Sequence, residues 1–323
     1  MKPALAALLF VALSPIASAT ALGTPVATVA AKPGEPAEVA SDTFLDEDRR
    51  PWRYEMRRRF APLIKDCKTR REAILLIAQN AAQVCGVKYS TGRRAPNQSV
   101  AESLESGKAS CTGLSILLAA AYRSVGIPAR IAGVAEWGDR PGNHTWVEVL
   151  DHDRWHFIEY YTDKAGLDRG WILDPILNLD PKNPRSRVLA RDDSGDDFFF
   201  LPWNPEDKSL RAVDRTQAYL RIAAAQGLKP KAVASASSGT LVFEAKDASG
   251  QRVSLAFRVL DGEHEVFSGK TPGPLDDLNN APRAALPAGR EHAAVYRDKS
   301  GKACRVRLTP KAGETTTVNL PAE

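Results

Sequence analysis

The chain has 323 residues, of which 43% are hydrophobic and 26% are charged, and its formal net charge at pH 7 is +5. This length predicts about two domains, and the composition excludes a disordered or fibrous protein because it suffices for an ordinary globular core. The small positive excess is spread along the chain, so no nucleic-acid partner is predicted.

The first 19 residues have the layout of a secretory signal peptide. Lys2 supplies a charged start, residues 4–13 form an apolar run, and Ala17-Ser18-Ala19 fits a cleavage site. The run is shorter than the roughly 20 apolar residues that span a bilayer. We therefore expect a secreted or periplasmic protein with no membrane span after the signal peptide (residues 1–19) is cleaved. An uncleaved short anchor is the alternative.

The stretch up to residue 126 is predicted to be a linker followed by helices. Residues 20–42 are rich in Ala, Pro, Thr, Val and Gly without any period, which predicts a flexible linker. Helical spacing follows at 43–65 and 70–84. A buried helix is predicted over 110–125, since its apolar residues run almost without interruption and Gly126 is placed to end it.

Three β-strands are predicted after this helix, at 129–134, 145–150 and 155–161. Turn-forming residues at 151–154 join the last two strands into a hairpin. Helices followed by an antiparallel sheet make an α+β domain. We place this domain, which also carries the candidate catalytic residues, at residues 43–230, and we expect 162–210 to be irregular.

From about Ser237 the pattern changes to short strands separated by glycine-containing turns. The predicted strands are Thr240–Ala245, Arg252–Leu260, Ala293–Tyr296, Cys304–Leu308 and Thr315–Leu320. This spacing predicts a small all-β sandwich at residues 237–323. No cluster of titratable residues is visible in it, so an accessory role in binding or spacing is expected.

Cys111 has a position that can activate a thiol. It lies in the first turn of the predicted buried helix, where unpaired N–H groups and the helix dipole favour the thiolate. Both effects can lower a cysteine pKa well below about 8.5, and the same N–H groups can hold a developing oxyanion. A lone cysteine is also often a small core residue, so the position by itself leaves both roles open.

His144 is the candidate general base, because a base for a cysteine nucleophile must come from another part of the sequence. If Leu150 pairs with Trp155 in the hairpin, His144 and Glu159 lie on one face of the sheet. Glu159 and Asp163 are then its diagonal neighbours. Either carboxylate could hold the second ring nitrogen of the histidine, as the acid of a catalytic triad does.

Two segments together carry a recognisable motif. Cys111 opens a buried helix that ends in Gly-Ile-Pro-Ala-Arg at 126–130. The strand that reads His-x-Trp-x-Glu at 144–148 is followed by Trp155 and by an acid four residues later. Over about residues 70–175 this combination resembles the transglutaminase-like superfamily.

The resemblance implies a papain-like core of helices packed on an antiparallel sheet, with a Cys-His-Asp type of triad. Cys111 matches the nucleophile and His144 the base, while Glu159 stands where the family usually has Asp; Asp163 is the reserve candidate. The implied reaction is attack of the thiolate on an amide of a protein or peptide substrate. The thioester that forms is resolved by water or by an amine, and the sequence does not choose between them.

No cofactor and no metal site are expected, and the oligomeric state is open. The C-terminal strands are similar to carboxypeptidase regulatory-like or transthyretin-like modules in a Lys-Thr-Pro-Gly segment at 270–273 and in the closing strand at 316–320. The alternative function is that of an inactive transglutaminase-like protein that serves as a binding or structural module. Cys67 and Cys85 flank one predicted helix and could pair in an oxidising compartment.

The positions of three further residues near the candidate triad suggest roles for them. Gln98 could donate to the oxyanion or lie on the surface, and Trp137 and Asn143 are candidates for the wall of the acyl site. The segment Asp168-Arg169-Gly170-Trp171 is predicted to be an ordered loop over the sheet, with no chemical role.

Overall fold

The computed structural model describes the following parts of the chain: 43–162, 166–230, 237–274 and 276–323. The predicted signal peptide, the predicted linker and Asp163 lie outside the described residues. None of the helices in the described ranges is long and apolar enough to cross a membrane.

The helices in these residues are α1 (Arg53–Ile64), α2 (Arg70–Cys85), α3 (Val100–Ser106), α4 (Cys111–Ser124), α5 (Leu173–Ile176) and α6 (Thr216–Ala225). In the first part of the chain, up to residue 230, the strands are β1 (Lys88–Tyr89), β2 (Lys108–Ala109), β3 (Ala129–Val134), β4 (His144–Asp151), β5 (Arg154–Ile158), β6 (Leu189–Arg191), β7 (Asp197–Phe198) and β8 (Arg211–Asp214). In the second part of the chain, from residue 237, the strands are β9 (Ser238–Lys246), β10 (Ala256–Asp261), β11 (His264–Lys270), β12 (Arg283–Pro287), β13 (His292–Arg297), β14 (Ala303–Leu308) and β15 (Thr315–Pro321).

Helix α4 is the buried centre of the first part. The side chain of Ser110 accepts a hydrogen bond from the backbone N–H of Gly113 at 3.0 Å and so begins the helix. Every residue from Thr112 to Ser124 is buried. The helix ends before Gly126, whose φ of 82° is readily adopted only by glycine. The predicted helix is therefore present with both of its predicted ends.

Helix α4 packs on a six-stranded antiparallel sheet with the strand order β5-β4-β3-β6-β8-β7. The predicted hairpin is strands β4 and β5, and Leu150 pairs with Trp155 as expected from the sequence. This register fixes which side chains share a face and brings Glu159 beside His144. The second hairpin strand ends at Ile158 and not at Tyr161, so Glu159 follows the strand. Helices on an antiparallel sheet, with a further β region after them, confirm the α+β fold class.

Half of this sheet was not predicted, because residues 162–210 were expected to be irregular. The structure has α5, β6 and β7 in this range, and β8 directly after it. These elements are two to four residues long, too short to show a period of their own. Their position depends on contacts with strands that are distant in the sequence.

One such contact is a buried cluster of charges. Glu148 is 1% exposed and accepts from Arg130 Nη2 at 2.8 Å and from Arg215 Nε at 2.9 Å. Arg130 also binds Asp192, beyond β6, and lies over the ring of Trp155 at 4.1 Å. Two residues of the sequence motif, Arg130 and Glu148, are thus partners in an ion cluster that joins both halves of the sheet.

The second part contains two sheets, ordered β11-β10-β13-β14 and β12-β9-β15. Apolar side chains from both sheets form one core that includes Phe243, Phe257 and Leu286. Strands β11 and β12 were not predicted. The proposed domain limits and the similarity to carboxypeptidase regulatory-like modules stay predictions.

Candidate active site

One cavity of about 490 Å³ is lined by all three predicted catalytic residues, Cys111, His144 and Glu159. Helix α4 presents Cys111 at its first position, and strand β4 presents His144 at its first position. Glu159 comes from the segment that follows β5. The structure thus brings the three residues together; their catalytic role stays a prediction.

The imidazole of His144 bridges the thiol and the carboxylate. His144 Nε2 is 2.7 Å from Glu159 Oε1, and the two side chains are 15% and 14% exposed. The Cys111 thiol lies beside the same imidazole, and each of the two groups shifts the pKa of the other. Since Nε2 is engaged by the glutamate, Nδ1 is the nitrogen that faces the thiol. This is the connectivity of a nucleophile, a base and an orienting acid.

The electrostatics of this pair favour proton transfer from sulfur to nitrogen. Burial acts to raise the pKa of the Cys111 thiol, but the hydrogen bond and the charge of His144 outweigh it and the pKa is lowered from its ordinary value. Burial acts to lower the pKa of His144, but the hydrogen bonds to Cys111 and Glu159 outweigh it and raise the pKa to about 10. Both shifts favour the form of the pair in which the sulfur is a thiolate and the imidazole is an imidazolium.

Hydroxyl groups fix the position of helix α4 against strand β4 beside the site. Thr112 Oγ1 is 3.1 Å from Thr145 Oγ1, and Ser115 Oγ is 2.9 Å from the carbonyl oxygen of Thr145. The backbone N–H of Thr145 also acts to lower the pKa of the Cys111 thiol. Because Thr145 follows His144 directly, these contacts set the position of the thiol relative to the imidazole. Thr112 and Ser115 were not predicted from the sequence to lie beside the site.

The loop at 168–171, which had no assigned role, shapes both the acid and the base. A side chain at Gly170 would place its Cβ 2.8 Å from Glu159 Oε2. The absence of a side chain there makes room for a glutamate in place of the shorter aspartate of the family pattern. Trp171 lies with its ring 4.9 Å from the ring of His144. Asp168 holds the loop by accepting from the backbone N–H of Phe157 at 3.0 Å.

Gln98 does not face the thiol, so the prediction that it donates to an oxyanion is wrong. Its Oε1 accepts from the backbone N–H of Arg94 at 2.9 Å, and its Nε2 donates to Ser106 Oγ and to the carbonyl of Lys108. The residue is also fully buried, so it does not lie on the surface. Its amide shapes the loop that leads into α4.

The first turn of α4 offers the donors that an oxyanion needs. Ser110 caps the N–H of Gly113, whereas the backbone N–H groups of Cys111 and Thr112 donate to no acceptor among the described residues. Both lie at the positive end of the helix dipole. They can therefore stabilise negative charge on a carbonyl oxygen under attack by the thiolate.

A segment of the second part of the chain forms one wall of the cavity. Asn279 accepts from Trp137 Nε1 at 2.7 Å and donates to the carbonyl of Asn143 at 2.6 Å. Tyr89 donates its hydroxyl to Asp277 at 3.1 Å. Trp137 and Asn143, predicted to line the acyl site, thus anchor this wall; Asn143 also lines an adjoining cavity of about 240 Å³ that reaches Cys111.

All four cysteines are free thiols, so Cys67 and Cys85 are not bridged. Burial raises the pKa of Cys85 to about 11, the opposite direction to that at Cys111. Within the described ranges, no group of three or more His, Cys, Asp or Glu residues could hold a metal ion.

Residues 58–160 match the sequence model of a family described as the Transglutaminase-like superfamily. No curated protein matches the chain. Among solved structures, a Cytophaga hutchinsonii protein provisionally named a cysteine protease is similar at 19% identity and a TM-score of 0.29, over 36% of this chain and 39% of its own. A structure named a TGase has 16% identity and a TM-score of 0.29, over 42% of this chain and 41% of its own. Red sea bream transglutaminase has 9% identity and a TM-score of 0.34, over 80% of this chain and 58% of its own.

The chain thus spans less than two thirds of the length of each of these structures. With TM-scores of this size the structural likenesses carry no weight of their own. The assignment of the segment at 58–160 depends on the family match.

Proposed function

Because the chain contains a transglutaminase-like domain at residues 58–160, we propose that it is a cysteine enzyme that acts on amide bonds of a protein or peptide. Cys111 is the nucleophile, His144 the general acid and base, and Glu159 the acid that orients the histidine. The observation that carries the proposal is the imidazole of His144 between the thiol and the carboxylate, with the pKa of the thiol lowered and that of the imidazole raised.

The reaction begins with attack of the Cys111 thiolate on the amide carbonyl carbon. The carbonyl oxygen gains negative charge, which the backbone N–H groups of Cys111 and Thr112 stabilise. The carbon–nitrogen bond then breaks, and His144 Nδ1 donates its proton to the leaving amine. The products of this half-reaction are a free amine and a thioester on Cys111.

The second half-reaction resolves the thioester. Water or an amine attacks the thioester carbon while His144 Nδ1 accepts its proton, and the carbon–sulfur bond breaks. The acyl product leaves, and the thiolate–imidazolium pair is restored. Glu159 keeps Nδ1 directed at the sulfur through its bond to Nε2.

We also propose that this reaction takes place outside the cytoplasm, in the periplasm or in the surrounding medium. The support is the charged start, apolar run and Ala-Ser-Ala site within residues 1–19. The substrates are then proteins or peptides of that compartment.

The experiment is to trap the acyl-enzyme. The purified mature chain is incubated with a pool of peptides with and without hydroxylamine, and Cys111-containing fragments and products are read by mass spectrometry. We expect an acyl adduct on Cys111, with hydroxamates in the hydroxylamine arm and free acids in the other. The adduct and products should be lost in Cys111→Ala and in His144→Ala.

Cys304→Ala is the matched control, because it removes a thiol outside the cavity that holds Cys111 and His144, and it should give wild-type products. If folded wild-type protein gives neither an adduct nor a product, while peptides still bind to it, the enzyme proposal is contradicted. A binding module would then be the better account.

A further inference from the structure

The cavity around Cys111 contains carboxylates that already have partners. Glu159 is bound to His144 at 2.7 Å, and Asp277 accepts from the Tyr89 hydroxyl at 3.1 Å. The guanidinium of Arg283 lines the same cavity. It has no hydrogen bond or ion pair with any residue in the described ranges. A charged group that lines the cavity of Cys111 without a partner is open to a ligand of opposite charge.

The position of Arg283 is fixed by the fold. It is the first residue of β12 and pairs with Val242 of β9. Four residues earlier, Asn279 is bound to Trp137 and to the carbonyl of Asn143, next to His144. The backbone before Arg283 is therefore held against the first part of the chain, which contains Cys111 and His144, and the Arg283 side chain lines the cavity.

Arg140 is a second guanidinium in the wall of this cavity. Its Nε and Nη2 donate to Asp139, each at 2.6 Å, and its side chain is 17% exposed. Its Nη1 donates to no acceptor among the described residues. Burial and the charge of Arg140 together lower the pKa of Arg283 from its ordinary value, which places the two cations within electrostatic reach.

We propose that Arg283 and Arg140 form a subsite for a carboxylate of the substrate. This inference depends on the proposed function, because it names the substrate class of the same cavity: peptides with a free carboxylate near the amide that Cys111 attacks. Asp139 pairs with Arg140, whereas Arg283 has no carboxylate partner in the described ranges, so Arg283 supplies the positive charge that a substrate carboxylate can match. Guanidinium groups present paired N–H donors that fit the two oxygens of this group.

The proposal also gives the C-terminal strands a role in the reaction. Arg283 belongs to these strands, whereas Arg140 belongs to the first part of the chain, which contains Cys111 and His144. A carboxylate bound between the two would contact both parts at once, so specificity for an anionic substrate requires both parts of the chain.

The test uses the reactivity of Cys111 and needs no identified substrate. Full-length mature protein is reacted with maleimides that carry a carboxylate on a linker of two, three or five methylenes, and with the matching carboxamides. Labelling at each cysteine is followed by mass spectrometry. For at least one linker, we expect the carboxylate reagent to label Cys111 about fivefold faster than its carboxamide, the ratio that an exposed charge pair provides.

Arg283→Gln should bring this ratio down to about one at low ionic strength. The ratio is taken within each variant, so a change in the reactivity of the thiol itself affects both reagents equally and cancels. Arg283→Lys, which keeps the charge but loses the paired donors, should retain part of the ratio. The matched control is Arg307→Gln, since Arg307 is an exposed arginine on β14, and it should leave the ratio unchanged.

The subsite is contradicted if the ratio at Cys111 is the same in wild type and in Arg283→Gln. That result leaves the proposed function intact as long as the neutral reagent labels Cys111 faster than Cys304. The proposed function itself fails if the neutral reagent labels Cys111 no faster than Cys304. A second arm compares protection of Cys111 by a peptide with a free C-terminus and by a peptide amide with a glutamate side chain, which identifies the source of the carboxylate.

Discussion

Strand β4 carries two clusters of charges on one face, four residues apart, and they have different properties. At its start, His144 bridges Cys111 and Glu159, and the His144 and Glu159 side chains are 15% and 14% exposed. Further along, Glu148 is 1% exposed between Arg130 and Arg215. Both clusters come from the same sequence motif and the same two-residue period.

The difference lies in whether a proton can move and whether a ligand can reach it. Arginine stays charged at any accessible pH, so the cluster around Glu148 is a permanent ion network that stabilises the fold. In the other cluster, the lowered pKa of the thiol and the raised pKa of the imidazole favour transfer of one proton between them, and a cavity opens onto both groups. A motif residue with a buried charge is therefore not by itself a catalytic residue.

The largest expected effect is on the cluster of Cys111, His144 and Glu159. Cys111→Ala should lower turnover by on the order of 10⁴-fold or more, because the reaction loses its nucleophile. Its melting temperature should stay close to that of the wild type, since alanine fits the space of a cysteine. Turnover and differential scanning calorimetry measure the two quantities. A large drop in melting temperature would instead assign Cys111 to the core.

In the cluster around Glu148, a substitution should instead lower the stability of the fold. Glu148→Ala leaves the buried Arg130 with Asp192 as its remaining carboxylate and removes the partner of the partly exposed Arg215, which should lower the free energy of unfolding by about 3 kcal/mol. Chemical denaturation measures this value. Glu314→Ala is the control, because that glutamate belongs to an exposed pair with Lys311 and should cost less than about 1 kcal/mol. Equal losses in the two variants would rule out a structural role for the cluster.

A smaller effect should come from the loop that accommodates Glu159. Gly170→Ala should displace the Glu159 carboxylate, because the new Cβ would be 2.8 Å from its Oε2. We expect kcat/KM to fall between about tenfold and 10²-fold, with little change in stability since the tip of a side chain can move. Gly92→Ala, where the nearest atom is 3.5 Å from the added Cβ, should have no effect. An unchanged kcat/KM in Gly170→Ala would mean that the position of the acid is unimportant.

The smallest effect is expected at the contact between α4 and β4. Thr112→Val removes the hydroxyl that is 3.1 Å from Thr145 Oγ1, which should cost about 1 kcal/mol of stability. Thr112 moves no proton, so the pH profile of Cys111 alkylation should keep its midpoint. A shifted midpoint would show that this hydroxyl acts on the thiol.

The sequence predicts the parts of the site that depend on local patterns. The start of α4 at Cys111 follows from its capping residue and apolar run, and the proximity of Glu159 to His144 follows from the parity of one hairpin. The open space at Gly170 could not be predicted, because it becomes visible only when two segments meet. The same holds for the pairing of Arg130 with Glu148, and for the wall around Asn279, more than a hundred residues further along the chain.

The central claim is that His144 lowers the pKa of the Cys111 thiol. The most direct test is alkylation of the mature protein with iodoacetamide between pH 5 and 9, read at each cysteine by mass spectrometry. The thiolate is the form of the thiol that reacts. If the thiol pKa is lowered, the thiolate is present, and alkylation proceeds, at pH values below the ordinary midpoint of about 8.5. The pKa of His144 at about 10 keeps the imidazolium present across this range.

We expect Cys111 to react fast from the acidic end, well before Cys304, and its profile to shift to higher pH in His144→Ala, where burial of the thiol is no longer offset. If Cys111 follows the same profile as Cys304, or if His144→Ala leaves its profile unchanged, no thiolate–imidazolium pair exists and the account is contradicted.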